Sequence, residues 1–99
     1  MNLQEAVFSI FPACTVLDTT TDDGTIEVAG FNGSMVPQNC EVLATGNFRY
    51  SNQEPERLSY LVKTNSLVLI VRVFPSTSQR TCARIMLEPK NGAHTHHLH

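Results

Sequence analysis

The residues of this sequence best suited to binding are three arginines and three apolar side chains within residues 66–89: Arg72, Arg80, Arg84, Phe74, Ile70 and Met86. Guanidinium groups form paired hydrogen bonds with carboxylates and phosphates. Arginine and aromatic side chains are also enriched at the centres of protein interfaces. The set therefore predicts a surface that binds a protein or an anion, provided that one face of a sheet brings the six side chains together.

The two halves of the chain carry opposite charges. Residues 1–48 contain six acids and no lysine or arginine, whereas residues 49–99 contain seven bases and three acids. Such an asymmetry suggests that one half neutralises the other, within a chain or between subunits. We expect Asp18 and Glu27 to be the acidic counterparts of the arginines, in the same subunit or in a neighbouring one.

Three interpretations of the arginine set are open at this point. The arginines can lie over the surface with their stems packed on Ile70 and Met86 and their heads in water. They can pair with acids in an interface with another protein or a second copy. They can also bind phosphates while Phe74, Phe48 or Tyr50 stack on bases. A net charge of -2 and only two lysines argue against nucleic acid as the principal partner.

Residues 16–20, with the sequence Val-Leu-Asp-Thr-Thr, place an aspartate between apolar and hydroxyl residues. This segment resembles the catalytic segment of the retroviral-type aspartic proteases, small dimeric β-proteins in which Thr or Ser and then Gly follow the aspartate. The resemblance implies that Asp18 would share one proton with its copy in a second subunit. Thr20 stands where that family has glycine. We predict a protein without catalysis and keep the dimeric protease as the second alternative.

The four histidines lie within the last six residues, 94–99, and imidazoles at this spacing can bind zinc, copper or nickel ions. A metal site also needs ligands that the fold holds in place and orients, and a terminal segment does not supply them. The acids between residues 18 and 27 do not follow the pattern of an EF-hand loop. We therefore predict no metal site and no cofactor, and a flexible tail over residues 90–99.

The arginines must be positioned by a long β-hairpin over residues 66–89. An apolar run interrupted only by Arg72 precedes a turn-like segment, and a second strand with a period of two follows. A five-residue loop would place Phe74 opposite Arg80. One face of the hairpin is then almost wholly apolar: Leu67, Leu69, Val71, Val73, Thr81, Ala83, Ile85 and Leu87. The opposite parity would bury Arg84 without a partner, so we reject it.

A second hairpin is expected in the acidic half of the chain, within residues 14–31. Its two β-prone segments flank Asp23-Gly24, a pair that is typical of a two-residue hairpin turn. With this turn, Leu17 would share one face with Thr19, Ile26 and Val28, and Val16 would share the other with Asp18, Glu27 and Phe31.

The remaining segments complete a mainly β fold. Residues 2–11 have apolar side chains at helical spacing and predict a short N-terminal helix that ends before Pro12, although residues 7–11 would equally fit an edge strand. Residues 41–50 alternate like a half-buried strand, in which Gly46 would mark a bulge. Residues 54–63 fit a strand or a short helix, and we favour the strand because an antiparallel meander needs no long crossover. The sequence thus predicts a small antiparallel barrel or sandwich of about six strands, built from hairpins.

Length and cysteine usage limit the class of protein. A chain of 99 residues is one domain, here residues 1–89. Three cysteines without a CxxC pair, and Glu5 where a signal peptide would be basic, predict a reduced, intracellular and cytoplasmic protein. No run is apolar enough to span a membrane.

We expect a protein-interaction or self-assembly module, either a homodimer or a subunit of an assembly, such as a viral or phage accessory protein. The alternative is a small nucleic-acid-binding β-barrel.

Overall fold

The computed structural model describes residues 2–18, 24–31, 34–49, 51–53, 55–75 and 80–88. It contains one helix and six strands: α1 Leu3–Ile10, β1 Thr15–Asp18, β2 Ile26–Phe31, β3 Glu41–Phe48, β4 Arg57–Lys63, β5 Val68–Pro75 and β6 Arg80–Leu87. The predicted fold class, mainly β with six antiparallel strands and a short N-terminal helix, is confirmed. Strand β4 also confirms the prediction of a strand within residues 54–63, which fitted a short helix as well.

All six strands belong to one antiparallel sheet, in the order β1-β2-β6-β5-β4-β3. The connection from β2 to β3 crosses the sheet, so that β2 pairs with β6 instead of with the next strand along the chain. Within the residues that the structure describes, β1 and β3 form the two edges and do not pair with each other. The sheet is therefore open, and the expectation of a closed barrel or a two-sheet sandwich was too specific.

Helix α1 begins at a capping box. The backbone N–H of Glu5 donates to the side-chain oxygen of Asn2 at 2.8 Å, and the carboxylate of Glu5 accepts from the backbone N–H of Asn2 at 3.4 Å. These two bonds satisfy N–H groups that have no partner inside a helix. Phe11 is the C-cap and Pro12 follows it, as the sequence predicts.

The core lies between α1 and one face of the sheet, which we call the helix face. Buried apolar side chains of the helix, of four strands and of the segments next to them form one cluster there: Ala6, Val7, Ile10, Phe11, Ile26, Val28, Met35, Val62, Leu69, Val71, Val73, Ala83 and Ile85. Burying one such side chain stabilises the fold by about 1.5–3 kcal/mol before entropy is counted. The helix is thus held by its apolar stripe against the sheet.

The hairpin formed by β5 and β6 has a register that differs by two residues from the predicted one. Phe74 lies opposite Cys82 instead of Arg80, and the pairing extends to one further pair, Pro75 and Thr81. A shift of two keeps every side chain on its face. The residues of the predicted apolar face are accordingly buried, except that Leu67 is half-buried and Leu87 is 49% exposed.

The hairpin formed by β1 and β2 contains an irregularity that was not predicted. Val16 lies opposite Val28 and Asp18 opposite Glu27, so the register shifts between Val16 and Asp18. Such a bulge reverses the alternation of side chains. Val16 therefore packs against the core and Leu17 is 50% exposed, which is the reverse of the prediction. The predicted turn residue Asp23 lies outside the described residues.

The bulge in strand β3 is not at the predicted position. The register against β4 shifts between Val42 and Ala44, and not at Gly46. From Glu41 to Asn47 the strand is exposed on both of its faces, whereas Phe48 is buried. The strand therefore extends beyond the cover that α1 gives to the rest of the sheet.

Candidate interaction site

The face of the sheet opposite α1, which we call the arginine face, carries a row of polar side chains across four neighbouring strands. Ser59 of β4 lies opposite Arg72 of β5, Arg72 opposite Arg84 of β6, and Arg84 opposite Glu27 of β2. Two arginines directly opposite each other in a sheet repel. Their guanidinium groups contact different phenylalanine rings, that of Arg72 the ring of Phe48 and that of Arg84 the ring of Phe74.

These two rings, of Phe48 and Phe74, form an aromatic pair on the arginine face. Their centroids are 5.6 Å apart and their planes meet at 77°, an edge-to-face arrangement. Phe48 comes from β3 and Phe74 from β5, the two neighbours of β4, so the contact spans three strands. Phe48 is only 6% exposed and Phe74 is half-buried. The pair forms a small second apolar cluster on this face of the sheet.

Three guanidinium groups lie over the aromatic pair. The central guanidinium carbon of Arg72 is 5.2 Å from the ring centroid of Phe48, and those of Arg57 and Arg84 are 4.9 and 5.3 Å from the centroid of Phe74. At these distances the electron-rich face of a ring attracts a cation. The rings thus fix the positions of three cationic groups that would otherwise repel one another.

Glu27 is the described acid that contacts this cluster. Its Oε2 accepts a hydrogen bond from Nε of Arg84 at 2.7 Å, within one chain. The side chain of Arg84 is 46% exposed and that of Glu27 is 26% exposed, so water screens the pair. A pair of this kind contributes up to about 1 kcal/mol. Its larger effect is on the orientation of Arg84.

The remaining predicted site residues occupy different environments. Ile70 is only 6% exposed because its own chain buries it, so little of this side chain is available to a partner. Met86 lies opposite Ile70 and is half-buried. Arg80 begins β6, where its backbone lies opposite that of Phe31 of β2.

Asp18, the other predicted acid, ends β1, where its backbone lies opposite that of Glu27. Thr19 and Thr20, which complete the protease-like segment, lie outside the described residues. The structure therefore does not test the shared-proton arrangement that the resemblance implies for Asp18.

Sequence analysis missed Arg57 as a member of this cluster. The alternation of Arg57, Ser59 and Leu61 with Leu58 and Tyr60 did indicate which residues share a face. The contact between Arg57 and the ring of Phe74 depends on the pairing of β4 with β5, and the local sequence does not contain that information.

Two pockets lie away from the cluster. One, of about 250 Å³, is at the β1 end of the sheet and is lined by Ala13, Thr15, Ala29, Gly30 and Phe31. The other, of about 440 Å³, is lined by Asn39, Cys40, Glu41, Lys63, Thr64 and Asn65. Burial raises the pKa of the Cys40 thiol, which disfavours the nucleophilic thiolate. This direction argues against Cys40 as a nucleophile at neutral pH.

Within the described residues, no three His, Cys, Asp or Glu side chains are grouped so that they could hold a metal ion, and the four histidines lie outside those residues. The one helix in the described part of the chain has 8 residues and is too short to cross a membrane. Cys14, Cys40 and Cys82 are free thiols. No protein-family model, curated protein or solved structure matches the chain.

Proposed function

We propose that this protein is a non-catalytic interaction module whose arginine face binds an acidic surface of another protein. The observation that carries the proposal is the set of three guanidinium groups held over the Phe48–Phe74 pair on the sheet face that α1 does not cover. The cluster on this face combines three arginines with one acid, Glu27. It is therefore a cationic surface on a chain whose net charge is -2.

The packing of the arginines supports a protein partner in particular. A guanidinium group held against a ring loses little further freedom when it binds, which favours association. Arginine also presents a planar set of donors that matches a carboxylate. Arginine backed by aromatic side chains is typical of the few interface residues that dominate binding energy. Aspartate and glutamate side chains of a partner are the chemical groups that this surface fits.

A nucleic acid is the alternative partner, because the same arginines suit phosphates. The phenylalanines are less suited to that role than the sequence suggested. Phe48 is only 6% exposed, and two guanidinium groups lie over the ring of Phe74. Unpaired bases stack on open aromatic surfaces in single-strand-binding proteins. The geometry therefore favours carboxylates of a protein over bases.

An intracellular location is part of the proposal, and so is a role as a subunit of a larger assembly, such as a viral or phage accessory protein. Three free cysteines support a reducing compartment, in which disulfides are rare.

The proposal is tested by titrating the protein with a peptide rich in Asp, Glu and aromatic residues, and with a single-stranded oligonucleotide of equal charge. Arg57→Ala and Arg84→Ala should each weaken peptide binding about fivefold or more, as expected for central interface arginines. Lys63→Ala is the matched control, since Lys63 is an exposed cation at the far end of β4, and it should leave binding unchanged.

The two probes separate the alternatives. Tighter binding of the oligonucleotide, with an affinity that falls steeply as salt rises, would favour the nucleic-acid function instead. If neither probe binds at low salt, or if Lys63→Ala weakens binding as much as the two arginine variants do, the cluster of Arg57, Arg72 and Arg84 is not the binding site.

A further inference from the structure

Glu27 is the last side chain in the row of polar residues that crosses the arginine face. The row runs from Ser59 of β4 through Arg72 and Arg84 to Glu27 of β2, in the strand order β4-β5-β6-β2. The row therefore places a carboxylate at one end of the cationic cluster. A surface of this kind differs from a uniformly cationic one in the partners that it can bind.

The carboxylate of Glu27 can accept more hydrogen bonds than the arginine cluster gives it. Its Oε2 accepts from Nε of Arg84 at 2.7 Å, and this is the only hydrogen bond that its side chain makes to the residues that the structure describes. A carboxylate has about four sites that accept a hydrogen bond. The side chain is 26% exposed, so a donor from a partner can approach it.

The negative charge of Glu27 acts differently on the two classes of partner that suit arginines. A nucleic acid carries a phosphate on every nucleotide and no cationic group, so it is repelled at this end of the cluster. A protein segment can place a lysine or arginine beside its acids and pair with Glu27. Interfaces that discriminate between partners combine an attractive contact for one with a repulsive contact for the other.

We propose that Glu27 determines the specificity of the arginine face: it selects a protein segment in which a run of acids ends in a lysine or arginine, and it rejects nucleic acids. The acids of the segment contact the arginine cluster, and the terminal base contacts the carboxylate of Glu27. The selection of a segment rests on the proposed function, because it concerns the partner of the same surface. The rejection of nucleic acids depends on charge alone and is measured independently.

The first test uses two peptides with the same run of Asp, Glu and aromatic residues, one flanked at both ends by glycine and one by lysine. The ratio of their affinities is measured for the wild-type protein and for Glu27→Gln, which can still accept the hydrogen bond of Arg84 but carries no charge. The preference for the lysine peptide should fall about threefold or more in the variant, as expected for a partly exposed ion pair.

The second test uses a single-stranded oligonucleotide at several salt concentrations. Glu27→Gln should raise its affinity about threefold or more at low salt. The slope of log affinity against log salt should steepen by about 0.7, the value for one additional phosphate contact. Glu5→Gln is the matched control for both tests. It removes the same charge on the helix side of the sheet, where glutamine preserves the capping box, and should stay close to wild type.

The outcomes separate this inference from the proposed function. If neither peptide binds while Glu27→Gln gains oligonucleotide affinity, the proposed function and the selection of a segment fail, and the rejection of nucleic acids stands. If the peptides bind but Glu27→Gln keeps the wild-type preference for lysine, Glu27 does not determine specificity. An oligonucleotide affinity of Glu27→Gln no higher than that of Glu5→Gln overturns the rejection of nucleic acids. Circular dichroism checks that both variants are folded.

Discussion

The two faces of the sheet are formed by the same strands but stabilised by different interactions. On the helix face, Leu69, Val71 and Ile85 are completely buried among aliphatic neighbours. On the arginine face, guanidinium groups lie over two phenylalanine rings and keep part of their surface in water. Burial of apolar area is the stronger contribution to stability, whereas partly exposed arginines are suited to association. The comparison separates a face that stabilises the fold from a face that is available for binding.

Ile85 and Met86 test this separation most strongly, since they are consecutive on β6 and point to opposite faces. Ile85→Ala should lower the free energy of unfolding by about 2–5 kcal/mol, because it removes a fully buried side chain and leaves a cavity. Met86→Ala removes a half-buried side chain and should cost less than about 2 kcal/mol. Urea unfolding followed by circular dichroism measures both. Equal losses would mean that both faces are packed as cores.

Gly30 and Gly46 provide a second comparison of the same kind, with a smaller expected effect. A Cβ on Gly30 would collide with the Ser34 hydroxyl and lie 2.8 Å from the sulfur of Cys14, whereas a Cβ on Gly46 would meet no atom within 4 Å. Gly30→Ala should therefore destabilise the protein by about 1–3 kcal/mol. Gly46→Ala should be neutral or stabilise it by up to about 1 kcal/mol.

Thermal unfolding of the two glycine variants, side by side, is the appropriate measurement. A neutral Gly30→Ala would show that the segment around Ser34 moves aside easily. The close packing inferred for that end of the helix face would then be wrong.

The division into two faces could be predicted from the sequence because it depends only on the alternation of side chains along each strand. A register shift of two residues left Leu69, Val71 and Ile85 on the helix face, so the core of the β5–β6 hairpin was correct although the pairing was not. The bulges in β1 and β3 could not be predicted in the same way. Neither Leu17 nor Leu43 differs in type from an ordinary strand residue, and a bulge reverses the alternation on which the prediction depends.

The arginine cluster was only partly predictable for a related reason. The grouping of Arg72 with Arg84 follows from one hairpin, whose two strands are close in sequence. The contacts of Arg57 and Phe48 require the order β3-β4-β5 in the sheet, which no local pattern specifies. Sequence could therefore identify the face, and the long-range strand order was needed to identify the cluster on it.

The smallest expected effect concerns whether the arginine face contributes to stability at all. A double-mutant cycle with Arg72→Met and Phe48→Leu retains most of the apolar volume while it removes the charge and the ring. Phe48 is only 6% exposed, so its contact with Arg72 is shielded from water. We expect a coupling energy of about 0.5–1 kcal/mol from urea unfolding of the four proteins. A coupling indistinguishable from zero would mean that the ring only orients Arg72. Arg72→Met also relieves the repulsion from Arg84, so the single variant alone can be neutral. The cycle isolates the contact because that relief is common to both backgrounds.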